Sequence, residues 1–244
     1  MSPGRQARLG ACDLIELSQR ATELSPGRWA LALLRRAFPE ATQEALMSMP
    51  VGARDRLVLA VRAELRPGPL QAEPVCRACG ATYELTLGPE EIGLGGEAPW
   101  PEPGFRTVEI SGRDIRLRPV AVSDLIEAEA LADPEDAARL MATRVQEAAL
   151  DVPTDDVPTD DVAAALEALD PGADVWLATA CPECGTEQSM AFDAVRFLAL
   201  ELRHLSRQLM RDVADIARVF HWSEADILAL PEPRRAFYLS EALA

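Results

Sequence analysis

Apolar positions in the first 69 residues recur at helical spacing. Leu14, Ile15 and Leu17 share one side of residues 13–21. Ser25-Pro26 reads as a cap followed by Pro at the first helical position, and that helix carries Trp29, Leu31, Leu33 and Leu34 to Phe38, where Pro39 stops it. Short helices are expected over residues 42–47 and 51–65. In the second, Leu57, Val58, Val61 and Leu65 form the apolar side, and Pro67-Gly68-Pro69 ends it. From residue 70 the period changes. Residues 82–87 alternate as a strand does, and residues 107–117 read as a β-hairpin with Val108, Ile110, Ile115 and Leu117 facing inward. Residues 93–104, rich in Gly and Pro, read as loop. Two further strands are expected over residues 174–180 and 187–192. Beyond them Leu198, Leu202, Leu205, Leu209, Val213, Ile216 and Phe220 make one apolar stripe along a helix of about 25 residues. Ser223-Glu224-Ala225-Asp226 gives a capping start to another helix, and Pro231 opens the last one, with Phe237, Tyr238 and Leu239.

Between the hairpin and the late strands the pattern is helical but acidic. Ser123 is placed to cap a helix through Ala132, and Pro134-Glu135-Asp136 to open another through about Leu150. A tandem pentapeptide follows, Val152-Pro153-Thr154-Asp155-Asp156 and Val157-Pro158-Thr159-Asp160-Asp161, whose Pro and Asp favour a disordered loop over residues 151–161. Residues 162–169 resume as a short helix.

Charge sharpens this division. The chain of 244 residues has a formal net charge of −16, and its basic residues are all Arg. Residues 123–174 hold 15 acidic and 2 basic side chains, so −13 of the −16 lies there and about −3 elsewhere. Such a chain lacks the basic footprint that nucleic acid requires. A solvated acidic surface is the plainer reading of the segment. At 48% hydrophobic and 5% aromatic residues, the core must be built mainly of Leu, Ala and Val. The polar first ten residues carry no signal-peptide pattern, and no apolar run approaches a membrane span. A cytoplasmic setting is expected, without a membrane role.

Five cysteines add the chemistry. Four lie in two copies of one motif, Cys76-Arg77-Ala78-Cys79-Gly80 and Cys181-Pro182-Glu183-Cys184-Gly185, each between strand-like runs. A two-residue gap lets both sulfurs face one point, and the following Gly permits a turn other residues resist. Two such knuckles supply the four thiolates of a closed tetrahedral zinc site. Cys76, Cys79, Cys181 and Cys184 are therefore the candidate ligands of one structural zinc. Local disulfides, an iron–sulfur centre and a metal shared between chains are the alternatives. Sharing one ion makes residues 93–173 an insertion. Cys12 is left over and is expected to be a small buried residue on the first amphipathic helix.

Catalysis has little to build on. His204 lies beside the long apolar stripe and His221 at the helix end, so both read as structural. Gly93-Leu94-Gly95-Gly96 runs into Pro99 and reads as a linker, not a phosphate loop. No enzyme, small-molecule substrate or second cofactor is expected.

The expected fold is α+β. Helical parts at residues 1–69 and 193–244 enclose a small zinc-ribbon-like antiparallel core. That core is formed by knuckle hairpins at residues 70–92 and 174–192, separated by the acidic insertion.

The order of these parts resembles a known family. Leu24-Ser25-Pro26-Gly27-Arg28 opens one helix, and Val51-Gly52-Ala53-Arg54-Asp55 leads into the helix before the first knuckle. The chain closes with His221-Trp222-Ser223-Glu224-Ala225-Asp226-Ile227-Leu228-Ala229-Leu230-Pro231, then Arg234-Arg235 and Tyr238-Leu239. This is similar to the T4-type baseplate protein family, also described as baseplate hub assembly chaperones, of contractile-tailed phages and related contractile injection systems. The resemblance covers most of the chain and is most specific over residues 222–239. Here the terminal segment departs from the pattern, with two Pro in Pro231-Glu232-Pro233 where one would suffice. The resemblance implies a non-enzymatic chaperone or minor structural component. Its partners would be baseplate, hub or tail-tube proteins of an assembled particle. The C-terminal helices, with Trp222, Ile227, Leu230, Arg234, Arg235 and Tyr238, are the expected contact residues. A zinc-ribbon binding module in transcription or RNA handling is the rival reading, and the net charge argues against it.

Overall fold

The computed structural model describes residues 4–88, 92, 103–147 and 159–243. It is an α+β protein with helical ends and small two-stranded antiparallel sheets. Its N-terminal layer contains α1 (Ala11–Arg20), α2 (Pro26–Ala37), α3 (Gln43–Met47) and α4 (Val51–Leu65). The long helix α8 (Ala194–Phe220) packs against α1, α2 and α4. Leu14, Ile15 and Leu17 of α1, Trp29, Leu33 and Leu34 of α2, Val58 and Val61 of α4, and Leu198 and Leu202 of α8 are buried together. Trp29 is 1% exposed and satisfies its indole N–H on the Leu17 carbonyl (2.8 Å). The core thus gathers the apolar sides that helical spacing assigns.

A buried arginine ties this core to the β part. Arg62 of α4 gives two hydrogen bonds to Glu201 of α8, each 3.1 Å, and two more to the carbonyls of Gly68 and Pro69. The Pro67-Gly68-Pro69 turn is thereby fixed against both helices. Strands β1 (Leu70–Ala72) and β2 (Leu85–Leu87) follow, paired Leu70 to Leu87 and Ala72 to Leu85. Strands β5 (Val175–Ala180) and β6 (Glu187–Phe192) form the second knuckle hairpin, paired Val175 to Phe192 and Ala180 to Glu187. Leu70, Leu87, Ile92 and Leu177 bury one another between the hairpins, although no ladder joins them.

The described part of the intervening segment is docked rather than merely solvated. Strands β3 (Arg106–Ile110) and β4 (Arg113–Leu117) make the expected hairpin, and α7 (Thr159–Leu169) packs Val162, Ala165 and Leu169 on its apolar face. Helix α5 (Val122–Ala128) does not start from a Ser123 cap. Ala121 is the N-cap, and Asp124 at the third helical position reaches back to accept its N–H at 2.8 Å while gripping Arg118 with both oxygens (2.7 and 3.0 Å). Helix α6 (Pro134–Val145) stops five residues short of the expected Leu150. There the chain turns extended and joins the edge of β4, with Arg118 N donating to Val145 O (2.9 Å) and Glu147 N to Arg116 O (3.0 Å). Of the expected loop, residues 159–161 belong to α7, because the helix begins before the apolar stripe does; residues 151–158 lie outside the described residues. The expected loop at 93–104 likewise falls mostly outside them.

Cys12 is exposed, correcting its expected burial. Leu14, Ile15, Leu17 and Ser18 turn to the core, and at 100° per residue Cys12 points the other way. At the other end, α8 stops at His221, which adopts the left-handed conformation (φ 56°). The chain then folds back through α9 (Glu224–Leu228) and α10 (Glu232–Leu243), both against α8. No helix among the described residues is long and apolar enough to cross a membrane.

Candidate metal centre and C-terminal cap

The two knuckles repeat one geometry. Cys76 N donates to Ala81 O (2.8 Å) and Gly80 N to Cys76 O (2.9 Å); Cys181 N donates to Thr186 O (3.0 Å) and Gly185 N to Cys181 O (2.8 Å). Each turn needs a left-handed residue after its second cysteine, supplied by Gly80 (φ 76°) and Gly185 (φ 70°). The first cysteine of each pair, Cys76 and Cys181, is buried against Tyr83, and the second, Cys79 and Cys184, is exposed.

The folded chain brings all four sulfurs together, within 4.8 Å of one another. Cys76 Sγ lies 3.7 Å from Cys184 Sγ, and Cys79 Sγ lies 3.8 Å from Cys181 Sγ. A tetrahedron with metal–sulfur bonds of about 2.3 Å has edges of about 3.8 Å. Donor number, donor chemistry and spacing therefore fit one metal ion held by both knuckles.

Electrostatics fits as well. The amides of Cys79 and Ala78 lower the Cys76 thiol, and the Thr186 hydroxyl, then its amide, lowers Cys184 to about 6. The Ala81 amide pulls Cys79 down, but the Cys184 sulfur, burial and the other two sulfurs outweigh it and push that thiol up to about 12. Four adjacent sulfurs repel as anions, and a divalent cation removes that repulsion. Four protein donors also leave no open position for a water or substrate.

A polar latch beside the sulfurs was not anticipated from the sequence. Gln188 Nε2 donates to Tyr83 Oη (2.5 Å), its Oε1 accepts from Arg77 N (3.2 Å), and Tyr83 Oη reaches Thr179 Oγ1 (3.5 Å). Tyr83 and Gln188 each stand four residues after the second cysteine of their motif, and that shared offset is the signal. Equally unexpected are two carboxylates from the acidic segment at helix N-termini. Glu129 accepts from Gly27 N of α2 (2.9 and 3.1 Å) and from Ser25 Oγ. Asp170 accepts from Gly52 N of α4 (2.8 Å). Both places lie in the Ser-Pro-Gly and Val-Gly-Ala-Arg-Asp motifs, where Arg54 also pairs with Asp55 (2.7 Å), both buried.

The C-terminal candidates divide. Ile227 is 0% exposed and Arg235 is buried with its guanidinium on Leu230 O (3.3 Å). Both serve the chain's own packing, which corrects their expected outward contact role. Trp222 and Tyr238 are half-buried in a ring cluster with Phe220, at centroid distances of 4.7–5.6 Å. Leu230 is half-buried and Arg234 exposed. Phe237 meets Tyr238 edge to face at 5.4 Å yet is 58% exposed. His204 and His221 are exposed and outside the sulfur cluster.

Comparisons of the chain with family models, with curated proteins and with solved structures found no match.

Proposed function

We propose that this chain is a non-enzymatic assembly chaperone or minor structural component of a contractile tail baseplate or hub, clamped by one structural zinc ion. The observation that carries the reading is the C-terminal cap. The segment with the most specific family resemblance forms α9 and α10, which present Phe237 (58% exposed) against the Tyr238 ring of the Trp222–Tyr238 pair and, further along α10, Leu243 (64% exposed). Exposed aromatic and aliphatic side chains on a rigid support are what a protein–protein contact needs. The closed four-thiol site supports a clamp in preference to a catalyst. Zinc suits four thiolates at tetrahedral spacing, and its role is to pin two hairpins that no ladder joins.

Deleting residues 223–244 tests the reading in the system that encodes the protein. Expected are unassembled baseplates with the truncated chain still carrying one zinc per molecule by elemental analysis. Normal sheaths and baseplates in that mutant would reject the proposal. Iron, or no metal, in the purified full chain would reject the zinc clamp separately.

A further inference from the structure

On a chain of net charge −16, one helix face is basic. Leu200, Arg203, Arg207, Met210, Arg211 and Arg218 fall within about 100° of arc on α8, and all are exposed. Arg218 is paired with Asp215 (2.8 Å) one turn back. The side chains of Arg203, Arg207 and Arg211 have no hydrogen bond or ion pair to any described residue, and no acidic residue falls inside the arc. Leu200 and Met210 are 49% and 50% exposed within it. The opposite side of α8 carries Leu198, Leu202 and Leu209 into the core, so the helix is rigid where the arginines stand.

We propose that this outer face of α8 docks an acidic amphipathic helix of a partner protein. The proposal names the partner chemistry of the assembly reading and rests on a different helix from α9 and α10, so each can fail alone. Arginines at i, i+4 and i+8 repeat every 6 Å or so, the spacing at which carboxylates recur along a facing helix. Leu200 ahead of the arginines and Met210 among them supply the apolar contacts, Met being able to fit varied partners.

Charge elsewhere narrows the occupant. Long polyanions extend past three arginines onto a strongly acidic molecule, which repels nucleic acid. Two exposed apolar side chains are too few to anchor a membrane-lying face. A second copy is disfavoured because two chains of net charge −16 repel each other over most of their surfaces, and Glu127, Asp136, Glu129 and Asp133 of the middle segment are engaged with Arg144, Arg139 and helix N-termini. A short acidic helix meets the stripe without these penalties.

The test uses the full-length, metal-loaded protein and a synthetic helical peptide with Glu at i, i+4 and i+8 and Leu between. Titration by fluorescence anisotropy at low salt should give binding that weakens as salt rises. The R203E/R207E/R211E triple variant should bind at least about tenfold more weakly, while the triple Lys variant keeps most of the affinity. Circular dichroism and metal content should be unchanged in both, since the three side chains are exposed and unpaired. The proposal is overturned by no binding to wild type, by equal binding of a scrambled peptide, duplex DNA or anionic vesicles, or by unchanged affinity in the triple Glu variant. Self-association of wild type that the triple Glu variant loses would also overturn it, in favour of a second copy.

Discussion

The two knuckle turns and the N-termini of α2 and α4 perform the same task with different physics. Each joins segments distant in sequence, and each depends on glycine. At the knuckles the glycine is needed for its backbone: Gly80 and Gly185 have positive φ, and nothing lies within 4 Å of where a Cβ would stand. At the helix starts it is needed for its missing side chain. A Cβ on Gly52 would overlap the Asp170 carboxylate and come within 2.9 Å of the Gly172 backbone, and one on Gly27 would lie 2.9 Å from Ile126 Cγ1. Neither helix glycine has positive φ. One residue type therefore marks a turn in one region and a docking surface in the other.

The joining forces differ too. Four thiolates around one cation form a strong, localised clamp, whereas a carboxylate at a helix N-terminus is a modest contact with the backbone N–H groups and dipole. The largest expected effect is therefore loss of the metal. Chelation, or Cys76→Ser, should remove on the order of 10 kcal/mol of apparent folding free energy from the clamp. Amide exchange should then rise across β1, β2, β5 and β6 while α1, α2, α4 and the first half of α8 remain protected. Uniform loss of protection would show that the two regions are one cooperative unit and break the contrast.

Next in size is a glycine exchange. Gly52→Ala should cost about 3 kcal/mol or more in denaturant unfolding, because it overpacks and displaces a buried hydrogen bond. Gly80→Ala should cost about 1–2 kcal/mol, the strain of a left-handed alanine. Asn should rescue part of that loss at position 80, since it tolerates left-handed φ, and none at position 52.

Asp170 gives a pH signature that the knuckles do not share. Burial raises its pKa above the ordinary 3.8, although Gly52 N and nearby arginines oppose this. From about 3.8 up to the raised value, the folded state holds a proton that the unfolded state has released, so stability falls as pH rises through that window. Asp170→Asn, which keeps an acceptor for Gly52 N, should flatten that part of the stability–pH curve and match or exceed wild type at pH 7. Asp170→Ala should instead lose about 1–3 kcal/mol, since Gly52 N is left without a partner. Asp55, also raised chiefly by burial despite Arg54, should keep most of its share of the slope in both variants, less the part that the Asp170 charge adds.

The smallest effect is expected at Glu129. It is exposed, so Glu129→Ala should cost about 1 kcal/mol or less by thermal unfolding. A loss as large as that of Gly52→Ala would mean that the two helix N-termini are not graded by burial.

Legibility in the sequence followed the range of the interaction. The strand–turn–strand frame of each knuckle was readable because its turn, glycine and two cysteines lie within five residues. Helix α4 over residues 51–65 and the hairpin over residues 106–117 were readable because their apolar periods are local. Helix α6 ends short of Leu150 because Gln146 leaves it to pair with Leu117 of β4, a contact that no period in residues 134–150 encodes. Ser123 reads as a cap because local preference takes no account of Arg118, which holds the Asp124 carboxylate in place.

By itself, the sequence determined the helix and strand periods, the four candidate ligands and the concentration of acid in the middle of the chain. Tertiary structure decided that the sulfurs converge with spacing that fits one ion. It also decided that Ile227 and Arg235 turn inward, and that Asp170, Asp124 and Glu129 hold helix ends and a neighbouring arginine. The physical reason is that a side chain's period tells which face it occupies, while only packing tells what stands opposite. An acidic residue reads as solvated until a helix N-terminus with a glycine at its start is brought against it.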